Sequence, residues 1–305
     1  MKIVFMGTPD FAVASLSALL DAGFNVVAVV TAPDKPAGRG QKLNESAVKK
    51  FAVSKNLPVL QPEKLKNPDF LNQLKAYGAD LQVVVAFRML PEVVWDMPKY
   101  GTINLHASLL PQYRGAAPIN WAVINGEKES GVTTFLLQHE IDTGNVLFSE
   151  KVPVGDNMTA GELHDELMNV GAKLLCKTVK AIENQDYTPQ AQEDLQKNIE
   201  LKHAPKIFKE DGRIDWNQPT NVVYNKIRGL SPYPAAYTTF LDKGLKIYQA
   251  SKELSKPDIQ VGDFSSDGKS FLKFATADGW IWVKELQQEG KKKMLVEDFL
   301  RGVRL

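Results

Sequence analysis

Residues 1–30, MKIVFMGTPDFAVASLSALLDAGFNVVAVV, decide the fold. KIVFMG is a continuous apolar run of the kind buried on both faces of a parallel sheet. TPD follows as a helix start, with Pro9 near the first helical position. Leu16, Leu19 and Leu20 recur at helical spacing, Gly23 closes the helix, and FNVVAVV (24–30) makes a second apolar strand. Strand, helix and strand form a βαβ unit, the building block of a doubly wound sheet. The alternation continues with a helix near 45–55, the strand PVLQ, a helix near 68–77 that Asn67 can cap, and the strand DLQVVVA (80–86). GVTTFLLQ (131–138) and NVLFSEKVPV (145–154) read as a further strand pair, and Thr159 with Glu162 makes a capping box for a long helix to about 184.

Beyond that helix the pattern changes. Residues 188–207 are polar and aperiodic, and they read as a linker between a first domain at 1–187 and a second at 208–305. After one helix near 219–229, AAYTTFL, LKIYQASKE, SFLKFAT and GWIWVKEL alternate between Gly-containing turns. Short strands at that spacing predict a small β-barrel of the oligonucleotide-binding type. The expected architecture is therefore α/β, a doubly wound and mostly parallel sheet followed by that barrel.

The composition is that of an ordinary soluble protein: 305 residues, 44% hydrophobic, 24% charged, net charge +1. Cys176 is the only cysteine, so no disulfide forms within the chain, which fits a reducing compartment. The chain enters a strand at once and carries no run of 18 apolar residues, so neither secretion nor a membrane span is expected, and a cytoplasmic location is. No apolar helix or heptad run asks for a partner, and a monomer is expected. From Lys206 onward, 17 basic residues face 13 acidic ones, a balance of +4 against −3 for the rest. That asymmetry fits a polyanionic partner and equally an ordinary solvated surface.

Polar residues interrupt the apolar pattern in TINLHASLLPQYRGAAPINWAVINGE (102–127). Asn104 and His106 stand two apart on a strand and project from the same face. If that strand ends at the carboxyl edge of the sheet, both face the crevice where ligands of this fold class bind. An imidazole that exchanges protons near neutrality, beside an uncharged amide donor, suits the oxyanion formed when a nucleophile attacks a carbonyl. A satisfied core histidine and a turn asparagine fit the same residues. Asp142, in the turn QHEIDTG (138–144), is a carboxylate that can orient the imidazole or simply serve the turn; His139 is the rival imidazole. The irregular loop APDKPAGRGQKL (32–43) opens a segment, Thr31–Lys50, with a balance of +3 from Lys35, Arg39, Lys42, Lys49 and Lys50 against Asp34 and Glu45. It can reach phosphates, as can Lys291, Lys292 and Lys293 in the barrel. No G-x-G-x-x-G, P-loop or G-x-S-x-G motif is present, and the histidines lack zinc-site spacing, so no metal is expected.

Together, NLHASLLPQYRGAAPINWAVINGE, HEIDTG, PDKPAGRGQKL, VVVAFRMLP and GRIDWNQP…IRGLSPYPAAYT closely resemble the folate-dependent formyltransferases, over nearly the whole chain. The resemblance implies a Rossmann-like catalytic domain and transfer of a formyl group from 10-formyltetrahydrofolate to the α-amino group of methionine on initiator tRNA. It assigns catalysis to Asn104, His106 and Asp142. It assigns folate binding to Ala86, Phe87, Arg88, Leu90, Ser108, Leu109, Leu110, Pro111, His139 and Ile141. Lys35, Arg39 and Lys42 would approach the acceptor end of the tRNA and Lys291–Lys293 its outer stem. Phe87-Arg88 stands where many members of the family carry Tyr-Gly. A sugar-nucleotide or other small-amine N-formyltransferase using the same Asn/His/Asp set is the alternative.

Overall fold

The structure is a computed structural model that describes residues 1–37, 42–195 and 200–303. The chain forms two compact units, 1–115 with 131–152 and 164–203, and 116–130 with 153–163 and 204–305. In chain order the elements up to residue 204 are β1 (Lys2–Gly7), α1 (Asp10–Asp21), β2 (Asn25–Val30), β3 (Lys35–Ala37), β4 (Lys42–Asn44), α2 (Ala47–Ser54), β5 (Val59–Leu60), α3 (Pro68–Ala76), β6 (Leu81–Val85), α4 (Glu92–Trp95), β7 (Thr102–His106), β8 (Arg114–Gly115), α5 (Pro118–Ile124), β9 (Glu129–Leu136), β10 (Val146–Pro153), α6 (Ala160–Glu183), α7 (Gln192–Leu195) and β11 (His203–Ala204).

The first unit is organised by a seven-stranded sheet of order β10-β9-β7-β6-β1-β2-β5. β1 pairs in parallel with β2 and β6, β2 with β5, and β6 with β7, while β9 runs antiparallel to β7. The apolar runs read from the sequence are these central strands, fully buried along β6 and along β1 after Lys2. The chain lays β2 and β5 on one side of β1, then returns to lay β6 on the other. That reversal opens the crevice at the carboxyl ends of β1 and β6. Gly7 sits there for lack of room: a Cβ would lie 2.6 Å from Ala12 Cβ and 2.9 Å from the Val85 carbonyl. α1 ends as expected at Gly23, whose φ of 78° lets its N–H reach the Leu20 carbonyl while Phe24 N–H reaches Leu19. The Asn67 cap and the Thr159–Glu162 box both form.

Two readings of the sequence change. The 32–43 loop is not wholly irregular: β3 and β4 pair antiparallel, with Lys35 opposite Asn44 and Ala37 opposite Lys42, while residues 38–41 lie outside the described residues. Its root is braced by Thr31–Ser46, by Gln61 donating to Ala32 and Asp34, and by Lys49 bonded to Asp34 and Glu45. Within the 188–207 segment, Gln190 exchanges both backbone hydrogen bonds with Val146, and Leu195 of α7 packs on Leu110, Phe135 and Val146. Sparse apolar residues hid this docking.

In the second unit the chain continues with α8 (Thr220–Gly229), β12 (Ala236–Phe240), β13 (Lys243–Glu253), β14 (Phe264–Ser266), β15 (Leu272–Ala275), β16 (Trp280–Gln288), β17 (Met294–Leu295) and α9 (Val296–Leu300). The strands form one antiparallel sheet, β12-β13-β16-β15-β14 with β17 on β16, matching the expected alternation. Register breaks around Gln249 bend β13 and help the sheet curl into a half-barrel. Its core joins Val223 and Ile227 of α8 to Phe240, Phe274 and Phe299, with Trp216 stacked on Phe274 at 4.7 Å. Arg228 is buried among acceptors, donating to Asn225 Oδ1 (2.8 Å) and to the carbonyls of Gly155 (3.3 Å) and Met158 (2.9 Å).

Candidate active site

The register sets Gly7 beside Val85 and Val85 beside Leu105, so β7 ends at the carboxyl edge of the sheet with His106 one residue further. Asn104 and His106 therefore share a face next to the crevice, as the spacing predicted. The Asn104 side chain is half-buried and, among the described residues, no hydrogen bond engages its amide. His106 is 7% exposed, and its Nε2 lies 2.9 Å from the Tyr113 carbonyl. A carbonyl only accepts, so Nε2 carries the proton and Nδ1 is left as the nitrogen that can exchange one. Nδ1 faces Asp142 Oδ2 at 3.9 Å, too far for a direct hydrogen bond and near enough for charge to be felt. Asp142 Oδ2 in turn accepts from the Gly115 N–H at 3.0 Å.

Ala86 (φ 48°), Tyr113 (φ 60°) and Asp142 (φ 55°) are all held in left-handed backbone conformations. Such strain persists only where surrounding structure over-determines it. Tyr113 is pinned through its N–H to the Lys202 carbonyl at 2.7 Å. Asp142 is pinned by Gln192, whose Nε2 donates to the carbonyls of Asp142 (2.9 Å) and Gly144 (2.8 Å). Reading the sequence missed Tyr113, Gly115 and Gln192. The YRG turn, with Gly115 at φ 126°, was a visible signal for the first two; a lone glutamine in a polar segment gives none.

The other candidates fall into distinct places. Ala86 and Arg88 are exposed just past β6, with Arg88 donating to the carbonyls of Glu63 (2.8 Å) and Pro62. Phe87 and Leu90 pack with Val84 and Val94. Ser108 is buried and donates to the Gln112 carbonyl at 2.6 Å, and Leu110 sits in a cluster with Phe135. Pro111 is buried, and Leu109 lies under Gly131, where a Cβ would come within 2.5 Å of it. Ile141 is 58% exposed. His139, the rival imidazole, is turned outward: its side chain is 73% exposed, 3.3 Å from Glu92 and edge-on to Trp95.

Among the basic residues, Lys35 is exposed, Lys42 lies in β4 and Arg39 falls outside the described residues. Hydrogen bonds to Asp34 and then Glu45 push the Lys49 amine up, and the same contact pulls the Asp34 carboxyl down. Lys49 thus braces the hairpin from within. Lys291 lies over the Phe299 ring at 5.2 Å, Lys293 pairs with Glu285 at 2.8 Å, and Lys292 is exposed. Among the described residues no group of three or more His, Cys, Asp and Glu is placed to hold a metal ion, and no helix is long and apolar enough to cross a membrane.

Comparison with known proteins gives the site a context. The model "Formyl transferase" matches residues 1–179, and "Formyl transferase, C-terminal domain" matches 206–304. The chain is 55% identical to the methionyl-tRNA formyltransferase of Bacteroides thetaiotaomicron over 100% of its own length and 96% of the relative's. It is 49% identical to that of Flavobacterium johnsoniae, over 99% and 96%. Among solved structures it resembles WlaRD, a sugar 3N-formyl transferase, with a TM-score of 0.68 at 21% identity, covering 96% of this chain and 99% of that one. It also resembles HypX from Aquifex aeolicus in complex with tetrahydrofolic acid, with a TM-score of 0.67 at 21% identity, where the match spans 99% of this chain and 48% of HypX. The two structural likenesses speak for the fold; the models and the curated relatives, running through both units, show that the chain belongs to the formyl transferase family.

Proposed function

We propose that this chain transfers the formyl group of 10-formyltetrahydrofolate to the α-amino group of methionyl-tRNA for translation initiation, acting in the cytoplasm as a monomer. The observation that carries the reading is the likeness to curated methionyl-tRNA formyltransferases, which runs over the whole chain. The site fits such a donor. The Asn104 amide, unengaged among the described residues, is a ready partner for a carbonyl oxygen, and the exposed turn beginning at Ala86 offers backbone at the crevice. Ala86, Phe87, Arg88 and Ile141 would meet folate directly. Leu90 and the Ser108–Pro111 segment would back the pocket wall, and His139 would stand at its rim.

The chemistry asks little of the protein beyond positioning and electrostatics. The neutral amine forms the new C–N bond at the formyl carbon, the bond from that carbon to N10 of the folate breaks, and the proton shed by the amine returns to N10. Between those events the formyl oxygen carries negative charge. Asn104 donates to it through its amide, and His106, with a second proton on Nδ1, donates from that nitrogen, since Nε2 is committed to Tyr113. Asp142, held by Gly115, orients the imidazole and relays the amine's proton through water. Lys35, Arg39, Lys42 and Lys291–Lys293 would meet tRNA phosphates, and residues 188–207 would link the catalytic domain to the barrel domain.

Acceptor competition tests the assignment. Purified enzyme is given 10-formyltetrahydrofolate with charged initiator tRNA, or with amino-sugar nucleotides. Formyl-methionyl-tRNA should accumulate; formylated sugar with no response to tRNA would replace this reading by the sugar one.

A further inference from the structure

Gln192 has no exposed surface, yet it lies in a segment whose sequence reads as linker. Its amide donates to the carbonyls of Asp142 and Gly144, and its Oε1 accepts from Arg114 Nε (3.0 Å) and Nη2 (2.7 Å). Arg114 stands between Tyr113, whose carbonyl takes His106 Nε2, and Gly115, whose N–H holds Asp142 Oδ2. One side chain therefore ties the turn that carries Asp142 to the segment that fixes His106. The tie matters because Asp142 is in a left-handed conformation, where the orientation of its carbonyl sets the direction of its carboxylate. Replacing this function takes a planar group with two donors and an acceptor, which describes a primary amide. The paired strand at Gln190–Val146 and the docked Leu195 hold Gln192 in register from either side.

We propose that Gln192 is a positioning residue for formyl transfer, acting through Asp142 to set the Asp142–His106 geometry. The proposal rests on the reading of His106 and Asp142 as catalytic. Gln192→Glu is the sharp variant, because it keeps the acceptor for Arg114 and sets carboxylate oxygen against the two carbonyls. Misplacing a catalytic group by an ångström costs on the order of 100-fold, so kcat for methionyl-tRNA should fall roughly 10- to 100-fold while KM for both substrates stays within about 3-fold.

A double-mutant cycle with Asp142→Asn separates positioning from general destabilisation. If Gln192 works through Asp142, the double variant is no slower than Asp142→Asn alone; fully additive losses, or wild-type kcat in Gln192→Glu, would overturn the proposal. Gln192→Met, which keeps the volume and removes every hydrogen bond, serves if the glutamate variant does not fold. Its crystal structure gives a reading independent of activity: Asp142 should leave its left-handed conformation and its 3.9 Å approach to His106, and retention of both would refute the idea. Should the wild type fail on methionyl-tRNA, the proposed function falls, and that crystal structure still decides the role of Gln192.

Discussion

Removing the Asn104 amide should slow the chemistry by two to three orders of magnitude and leave the fold almost untouched. The structure supplies both halves of that expectation. Among the described residues nothing hydrogen-bonds to the amide, so Asn104→Ala orphans no partner, and the residue is only half-buried. A surface-type change of this kind shifts stability by under about 1 kcal/mol. The catalytic loss follows from the role given to the amide. One preorganised donor to a developing oxyanion is worth about 3–4 kcal/mol, and each 1.36 kcal/mol is roughly tenfold in rate, hence about 10²- to 10³-fold. The assay is rapid-quench single turnover with enzyme in excess over charged tRNA, so that the rate reports bond making rather than product release. Asn104→Asp, which keeps the shape and replaces the donor by a carboxylate, should be at least as slow. A loss below tenfold in both variants, with Tm unchanged, would refute the oxyanion role. A collapse of Tm would refute the claim that the amide is structurally idle.

Arg228→Ala should destabilise the second unit by about 2–4 kcal/mol in urea unfolding, since it leaves Asn225 and the Gly155 and Met158 carbonyls without their donor. Asp267 accepts from Ser270 and from the N–H groups of Lys269, Ser270 and Phe271, and these bonds hold its carboxyl far below the ordinary carboxylate range. A depressed folded value means the stabilisation is complete above the unfolded carboxylate value, near 4, and is lost as pH falls through the folded one. The Tm gap between wild type and Asp267→Ala should therefore be full at neutral pH and narrow progressively as pH falls from about 4 into strong acid. Lys35→Ala should lower the slope of log K against log salt for tRNA binding by about one. Lys49→Met, tied inside the hairpin root, should leave that slope alone and lower Tm instead.

The central strands were legible because a strand buried on both faces must be a continuous apolar run, and KIVFMG and DLQVVVA could be nothing else at that length. The Thr159–Glu162 box and the Gly23 terminus were legible because they are local, made by residues three to five apart. His106 and Asn104 were found because period two puts them on one face. What the sequence concealed is set by partners distant in the chain. Gln192 meets Asp142 and Arg114 across 50 and 78 residues, and no pattern in QAQEDL announces it. Lys49 counted only as one more positive charge in the 31–50 segment, and nothing in the pattern pairs it with Asp34, 15 residues earlier, which holds it. His139 and His106 could not be ranked by spacing, and burial separates them: one is turned outward to Glu92, the other is enclosed with Asp142.

The most direct test is transfer of isotope-labelled formyl from 10-formyltetrahydrofolate to charged initiator tRNA by the purified wild type and by His106→Ala, at matched folded concentration. The account predicts labelled formyl-methionyl-tRNA from the wild type and a loss of most of kcat in a variant that still folds and still binds tRNA. Near wild-type turnover by His106→Ala would contradict the assigned site, and absence of any transfer by the wild type would contradict the assigned function.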